Sequence, residues 1–203
     1  LGLPILFSWA IGGVFAAAGA IAAIWHRRMT GEGQLVDLSQ REANIALLPH
    51  LIFEYAMNGR VAASSGNRHP EFAPHGYYRS AGDDQWVAIS VTNDTEFKAL
   101  CNAIKARHLL GDKRFGDAPS RKRHEDELDR VVESWTQGRG SREAMHLLQR
   151  EGVPAGAVLN NQQVVEDPHF AARGFFEKVD HSEAGVHTHL GMPWKLARTP
   201  GRV

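Results

Sequence analysis

The sequence predicts an α/β chain that carries a small α+β domain with an antiparallel sheet, and three observations lead to that class. A charge-free run rich in Ala and Gly fills residues 1–25. Two β-tending runs, residues 77–80 and 85–91, are separated by Ala81, Gly82, Asp83 and Asp84, a hairpin signal. Apolar residues elsewhere recur at helical spacing, and their caps can be named.

Taken in order, the first run is long enough to span a bilayer. Its Ala and Gly gain little in hydrocarbon, Pro4 and Ser8 interrupt its start, and no charged leader precedes it. It therefore reads as a buried helix that packs closely on a neighbour. His26, Arg27 and Arg28 suit its carbonyl end. Residues 30–33 turn, residues 34–38 form a short β-tending piece, and Ser39 with Glu42 makes a capping-box pattern. The helix that follows carries Ala43, Leu47, Leu51 and Tyr55 on one stripe, with a break expected near Ala46 because Pro49 lacks an N–H donor, and a stop at Gly59.

Residues 61–74 show no period and are read as a connection that doubles as an active-site loop, the alternative being a mobile interdomain linker. After the hairpin, Asn93 with Glu96 caps a helix on which Phe97, Leu100, Cys101 and Ile104 share a face. That placement makes Cys101 a core thiol. Residues 105–120 are charged and loop-like. A helix resumes near Arg121 with Leu128, Val131, Val132 and Trp135 inside, and the mixed signs of RKRHEDELDR suit a solvated helix surface. Ser141 opens a helix that buries Ala144, Leu147 and Leu148 and ends at Gly152. Residues 153–159 return as a strand, Asn160 or Asn161 caps a short helix, and Asp167-Pro168 starts another that ends at Gly174. Residues 175–180 and 186–190 flank a turn at Gly185. His187 and His189 then share a strand face, but no third ligand accompanies them and no metal site is assigned.

Composition narrows the function. Lys+Arg and Asp+Glu are both 23, and no basic block is present, which argues against nucleic acid as a partner. One cysteine cannot form an internal disulfide and fits a cytoplasmic location. No nucleophile elbow, phosphate loop, dinucleotide fingerprint, HExxH or CxxC occurs, and Asp37 and Glu42 have structural roles as turn and cap, so no catalytic residue is assigned.

The run R-R-x-T-G-E-G-Q-x-V-D-x-S-x-x-E-A within residues 26–43 resembles the middle of class III coenzyme A transferases, the superfamily of formyl-CoA and carnitine CoA-transferases and, more distantly, α-methylacyl-CoA racemases. E-Y-A-M-N-G-R at 54–60, G-N-R-H-P at 66–70, A-P-H-G-Y at 73–77 and G-V-P-A-G at 152–156 follow in the same order. The resemblance implies the C-terminal part of that fold. Residues 1–60 would be helices of a Rossmann-like large domain, 61–74 the linker and active-site loop, 75–158 the small domain, and 159–203 a return to the large domain.

It also implies CoA transfer between carboxylic acids. An aspartate carboxylate attacks an acyl-CoA, the resulting anhydride reopens as an aspartyl-CoA thioester, and the acceptor takes the CoA. That aspartate would lie upstream of Leu1, leaving the isolated chain inactive, with coenzyme A thioester as substrate and no permanently bound cofactor. Substrate-loop candidates are Gly66, Asn67, His69, Pro74, His75, Gly76 and Tyr77. Where the family's loop is often glycine-rich, this chain has His69, Pro70, Glu71, Phe72 and Ala73. Gly76 favours the transferase branch, since racemases are expected to carry Glu there. Partners would be an acyl-CoA and an acceptor acid, in an interlocked homodimer or a split heteromer, with no nucleic acid and no membrane. The alternatives are a racemase-like enzyme and a non-catalytic scaffold subunit of the same fold.

Overall fold

The computed structural model describes residues 3–201. The chain forms two compact units, one up to Ser64 and one from Ser65 onward.

The first unit is helical: α1 (Leu3–Thr30), α2 (Gln40–Ile45) and α3 (Pro49–Asn58). Arg27 and Arg28 lie in the last turn of α1, and the Ser39 side chain accepts from the Glu42 N–H at the start of α2. Pro49 breaks the helix as its missing donor requires, separating α2 from α3, and Gly59 caps α3 with φ 68°. Two expectations fail here. Residues 34–38 form no strand, since none of the strands among the described residues pairs with them. Nor is α1 buried: Trp9, Ile24, Trp25 and Met29 are exposed, and contact comes from the segment before α2, where Val36 lies against Gly19, and from the first residue of α2, Gln40, against Gly12. The first two residues of the charge-free run lie outside the described ones. On the second helix stripe Ala43 is buried, while Leu47, Leu51 and Tyr55 are exposed.

The second unit has a core. Strands β1 (His75–Arg79), β2 (Trp86–Ser90) and β3 (Ala155–Val158) form an antiparallel sheet in that order. Helices α4 (Asp94–Ala103), α6 (Glu125–Thr136) and α7 (Ser141–Arg150) provide its core, with α6 on β1 and α7 on β2 and β3. Val87, Ile89, Leu100, Leu128, Val132 and Leu148 meet there, each almost fully buried. Cys101 is among them, and burial pushes its thiol up to about 11. Asn93 caps α4 by accepting from the Glu96 N–H at 2.9 Å, a contact worth roughly 1 kcal/mol.

Residues 105–120 contain two 3-10 turns, Arg107–Gly111 and Lys113–Phe115, which bury Leu109 and Phe115. The next helix is two, α5 (Ala118–Arg123) and α6, divided at His124. Their charge run is only partly a solvated surface. Arg121 is 1% exposed, donates to Asp94 at 2.7 Å and to the Phe115 carbonyl, and sits over the Phe97 ring. Helices α8 (Asn161–Val165) and α9 (Pro168–Ala172) follow, then a hairpin of β4 (Phe176–His181) and β5 (Gly185–Leu190). A reciprocal Asn160–Gln163 capping box starts α8.

Candidate functional site

The register of the sheet sorts its residues between two faces, because side chains alternate along each strand and directly opposed residues share a face. Tyr78 pairs with Val87 and Gly76 with Ile89 on the core face. His75 pairs with Ser90, and Tyr77 with Ala88, on the other; Ala88 also pairs with Gly156. This second face is floored by small residues at Ala88 and Gly156, and Tyr77 stands 53% exposed beside them.

The segment before β1 borders that face. Gly66 adopts φ 63° in a turn closed by the Arg68 N–H donating to the Ser65 carbonyl, a backbone form suited to glycine. Arg68 then reaches α6, where its guanidinium donates to Glu125 at 3.3 Å, to Asp129 at 2.9 Å and to Asp126. The Tyr78 hydroxyl donates to the other oxygen of Asp129 at 2.8 Å. Burial, followed by the charge of Asp129, raises the Tyr78 phenol far above its usual range, so it remains a donor at neutral pH. The hydrogen bond from Arg68 holds Asp126 below the usual carboxylate range.

Two adjoining cavities of about 500 Å3 each open around this segment. Both are lined by Gly66, Asn67, Arg68, His75, Gly76 and Tyr77. They differ in charge. The helix-side cavity adds Asp126, Asp129, Arg130 and Glu133, whereas the sheet-side cavity adds Ala88, Ile89, Ser90, Pro154, Ala155 and Gly156 and has no acidic lining residue.

Five of the seven expected substrate-loop residues thus meet at one place: Gly66, Asn67, His75, Gly76 and Tyr77. The other two stand behind them. Pro74 is fully buried after a cis peptide bond, and its carbonyl accepts from the Val91 N–H. The His69 ring stacks on Phe72 at 4.2 Å and lies 5.4 Å from His75. His69 Nδ1 accepts from the backbone N–H groups of Glu71 and Phe72, which fixes its ring. His75 Nδ1 meets the Ser90 hydroxyl at 2.9 Å. Desolvation, then the positive charges of His69 and Lys122, pushes His75 below its ordinary value.

Sequence reasoning missed the acidic wall. Asp126, Asp129, Arg130 and Glu133 fall at i, i+3, i+4 and i+7, one helix face, but a mixed charge run looks the same whether solvated or gripping an arginine. Ser90 carried no signal before the register was known, and Gly156 entered only as the last residue of the G-V-P-A-G run. Among the described residues no group of three or more His, Cys, Asp or Glu is arranged to hold a metal. His187 lies opposite Val179 and His189 opposite Glu177 on an exposed hairpin.

The cleft is poorly suited to a polyphosphate. Its cationic lining side chains, among the described residues, are Arg68 and Arg130, and Arg68 already meets three carboxylates. Its sheet-side half has no acidic lining residue.

Comparison with known proteins places the chain in a family. The family model described as CoA-transferase family III matches residues 2–203. Over 189 residues the chain is 33% identical to the succinyl-CoA–D-citramalate CoA-transferase of Chloroflexus aurantiacus, covering 93% of this chain and 47% of that one. It is 30% identical to the succinyl-CoA–L-malate CoA-transferase alpha subunit of the same organism, covering 95% and 45%. A CAIB/BAIF family protein from Brucella suis superimposes with a TM-score of 0.81 at 25% identity, over 98% of this chain and 50% of that one. The chain spans about half the length of the relatives it matches.

Proposed function

The chain belongs to CoA-transferase family III, and we propose that it is the C-terminal half of an enzyme that moves coenzyme A between carboxylic acids, supplying the acyl-side wall of the active site. The observation that carries this reading is the family match over residues 2–203, together with the convergence of residues 66–68 and 75–77 on one cleft.

In the proposed chemistry an aspartate carboxylate, contributed by a segment upstream of Leu1, attacks the thioester carbonyl and displaces CoA thiolate, leaving a mixed anhydride. The thiolate attacks the aspartyl carbonyl of that anhydride, releasing the donor acid and forming aspartyl-CoA. The acceptor carboxylate repeats the two steps in reverse, so that one difficult exchange becomes several easier ones. The CoA phosphates would be bound by the upstream half, since residues 65–68 and α6 offer them an acidic wall. Gly76 supports the transferase over the racemase branch because it presents no carboxylate to the cleft.

Phe7–Thr30 is long and apolar enough to cross a membrane by length and composition. We assign its exposed side instead to packing within the complete large domain of a cytoplasmic protein, and the subunit state to a dimer. Detergent-free recovery of the full-length protein in a soluble fraction is the expected outcome, and recovery only from membranes would overturn that assignment.

The test of the activity is direct. Full-length protein incubated with an acyl-CoA and an acceptor acid, then denatured and digested, should carry CoA on an aspartate outside residues 1–203. Exchange catalysed by residues 1–203 alone, or no exchange by the full-length protein, would overturn the proposal.

A further inference from the structure

The two cavities share a rim but not a charge. An anion placed on the helix side faces Asp126, Asp129 and Glu133, whereas on the sheet side it meets no acidic lining residue. Electrostatics therefore direct a substrate carboxylate to the sheet side.

Two uncharged side chains there can donate to it. Asn67 lines the cavity with an amide. His75 lines it too, and its Nδ1 is occupied by the Ser90 hydroxyl. Ser90 is itself held in place, because its N–H donates to the Pro154 carbonyl at 3.1 Å. When the hydroxyl donates to Nδ1, the ring proton resides on Nε2, for which no partner occurs among the described residues. Arg68 completes the local field as a cation, although its hydrogen bonds go to α6.

We propose that the sheet-side cavity binds a free carboxylate of the acyl substrate through His75 Nε2–H and the Asn67 amide, with Ser90 fixing the histidine, so that the enzyme selects dicarboxylic over monocarboxylic acids. This rests on the transferase reading and adds the substrate class to it. His75 and Asn67 touch substrate; Ser90 is a positioning residue.

The test uses the full-length protein with succinyl-CoA and butyryl-CoA as probes, by titration calorimetry without an acceptor acid, on wild type and three variants. Wild type should bind succinyl-CoA at least about tenfold more tightly than butyryl-CoA, as expected for a charge-assisted hydrogen bond to a free carboxylate present with one probe only. His75→Gln keeps an amide near the reach of Nε2 and loses the Ser90 contact, so the preference should survive within about threefold. His75→Asn keeps an amide near Ser90 with nothing at the reach of Nε2, so the preference should vanish. A purely structural His75–Ser90 contact predicts the opposite ranking, which would overturn the proposal, as would equal binding of both probes by wild type. Asn67→Ala should also reduce the preference, and full retention would remove Asn67 from the site. CoA exchange measured in parallel separates the two ideas: absent exchange defeats the transferase reading while calorimetry still decides the carboxylate site, and normal exchange without preference defeats the site alone.

Discussion

The two units of this chain use their apolar residues in opposite ways. From Ser65 onward, Val87, Leu100, Leu128 and Leu148 are at most 1% exposed and pack against one another. Before it, Phe53, Tyr55, Trp9 and Trp25 are each 61–64% exposed, and the helices carry a comparable supply of large apolar side chains. The contrast teaches that apolar periodicity reports which face of an element will be covered, not what covers it. The second unit contains its own partners: three strands and the helices on their core face. In the first, a Cβ at Gly19 would lie 3.0 Å from Val36 and one at Gly12 3.1 Å from Gln40, so the contacts are close but few.

Truncation in the two units should therefore differ most. Leu148→Ala leaves a cavity beneath the sheet and should destabilise the second unit by about 2–5 kcal/mol in denaturant unfolding. Leu51→Ala, at a residue 37% exposed, should cost about 0.5 kcal/mol or less in this chain. Equal costs would break the comparison. A larger cost for Leu51→Ala in the full-length protein would sharpen it, by showing that the first unit's apolar face is covered there. Next comes Tyr78→Phe, which removes a buried hydroxyl from Asp129 and should cost about 1.5–3 kcal/mol. Asp129 keeps Arg68, so the substitution tests the core side of the cleft without dismantling its acidic wall.

Gly76 separates stability from activity. A Cβ there would meet the Tyr78 hydroxyl at 3.7 Å, ordinary contact, so Gly76→Ala should change stability by no more than about 0.5 kcal/mol. Gly76→Glu brings a carboxylate to the edge of both cavities, beside Tyr78 and its partner Asp129. In the full-length protein it should lower the proposed CoA transfer about tenfold or more, through misplacement of the acyl group, while moving the melting temperature little. Unchanged turnover at unchanged melting temperature would remove the position from the site.

Much of the second unit was legible because its signals are local. Asn93 with Glu96, the turn at residues 81–84, and the spacing of Phe97, Leu100 and Cys101 each need only one element to be understood. Pro49 and Gly59 worked for the same reason. What stayed hidden depends on pairs distant in sequence. Arg68 and Asp129 meet only after β1 is laid against α6, and His75 meets Ser90 only through strand register. Arg121 shows the same limit: nothing in RKRHEDELDR marks it as buried, because the partner that neutralises it, Asp94, starts another helix. The family resemblance found Gly66, Asn67 and residues 75–77 as a group, but not the difference in charge between the two cavities they border.

The smallest expected effect tests the histidine in that cleft. Its folded value lies below the ordinary 6.5, chiefly through desolvation and then through the charges of His69 and Lys122. A base with a depressed value binds its proton more readily in the unfolded chain, so unfolding takes up protons as pH falls below 6.5. Stability is therefore full above that point and declines below it. Asp126, Asp167 and Glu96, all held below the ordinary carboxylate range, act in the same direction at lower pH, as their partners are lost on protonation. The two sets separate by pH window. In thermal unfolding of wild type and His75→Gln across pH 4 to 8, the variant should lose the part of the decline that begins just below 6.5 and keep the part set by the carboxylates. An identical profile would mean that His75 reaches the same value in the folded and unfolded chain, and the cleft would then be wetter than its lining implies.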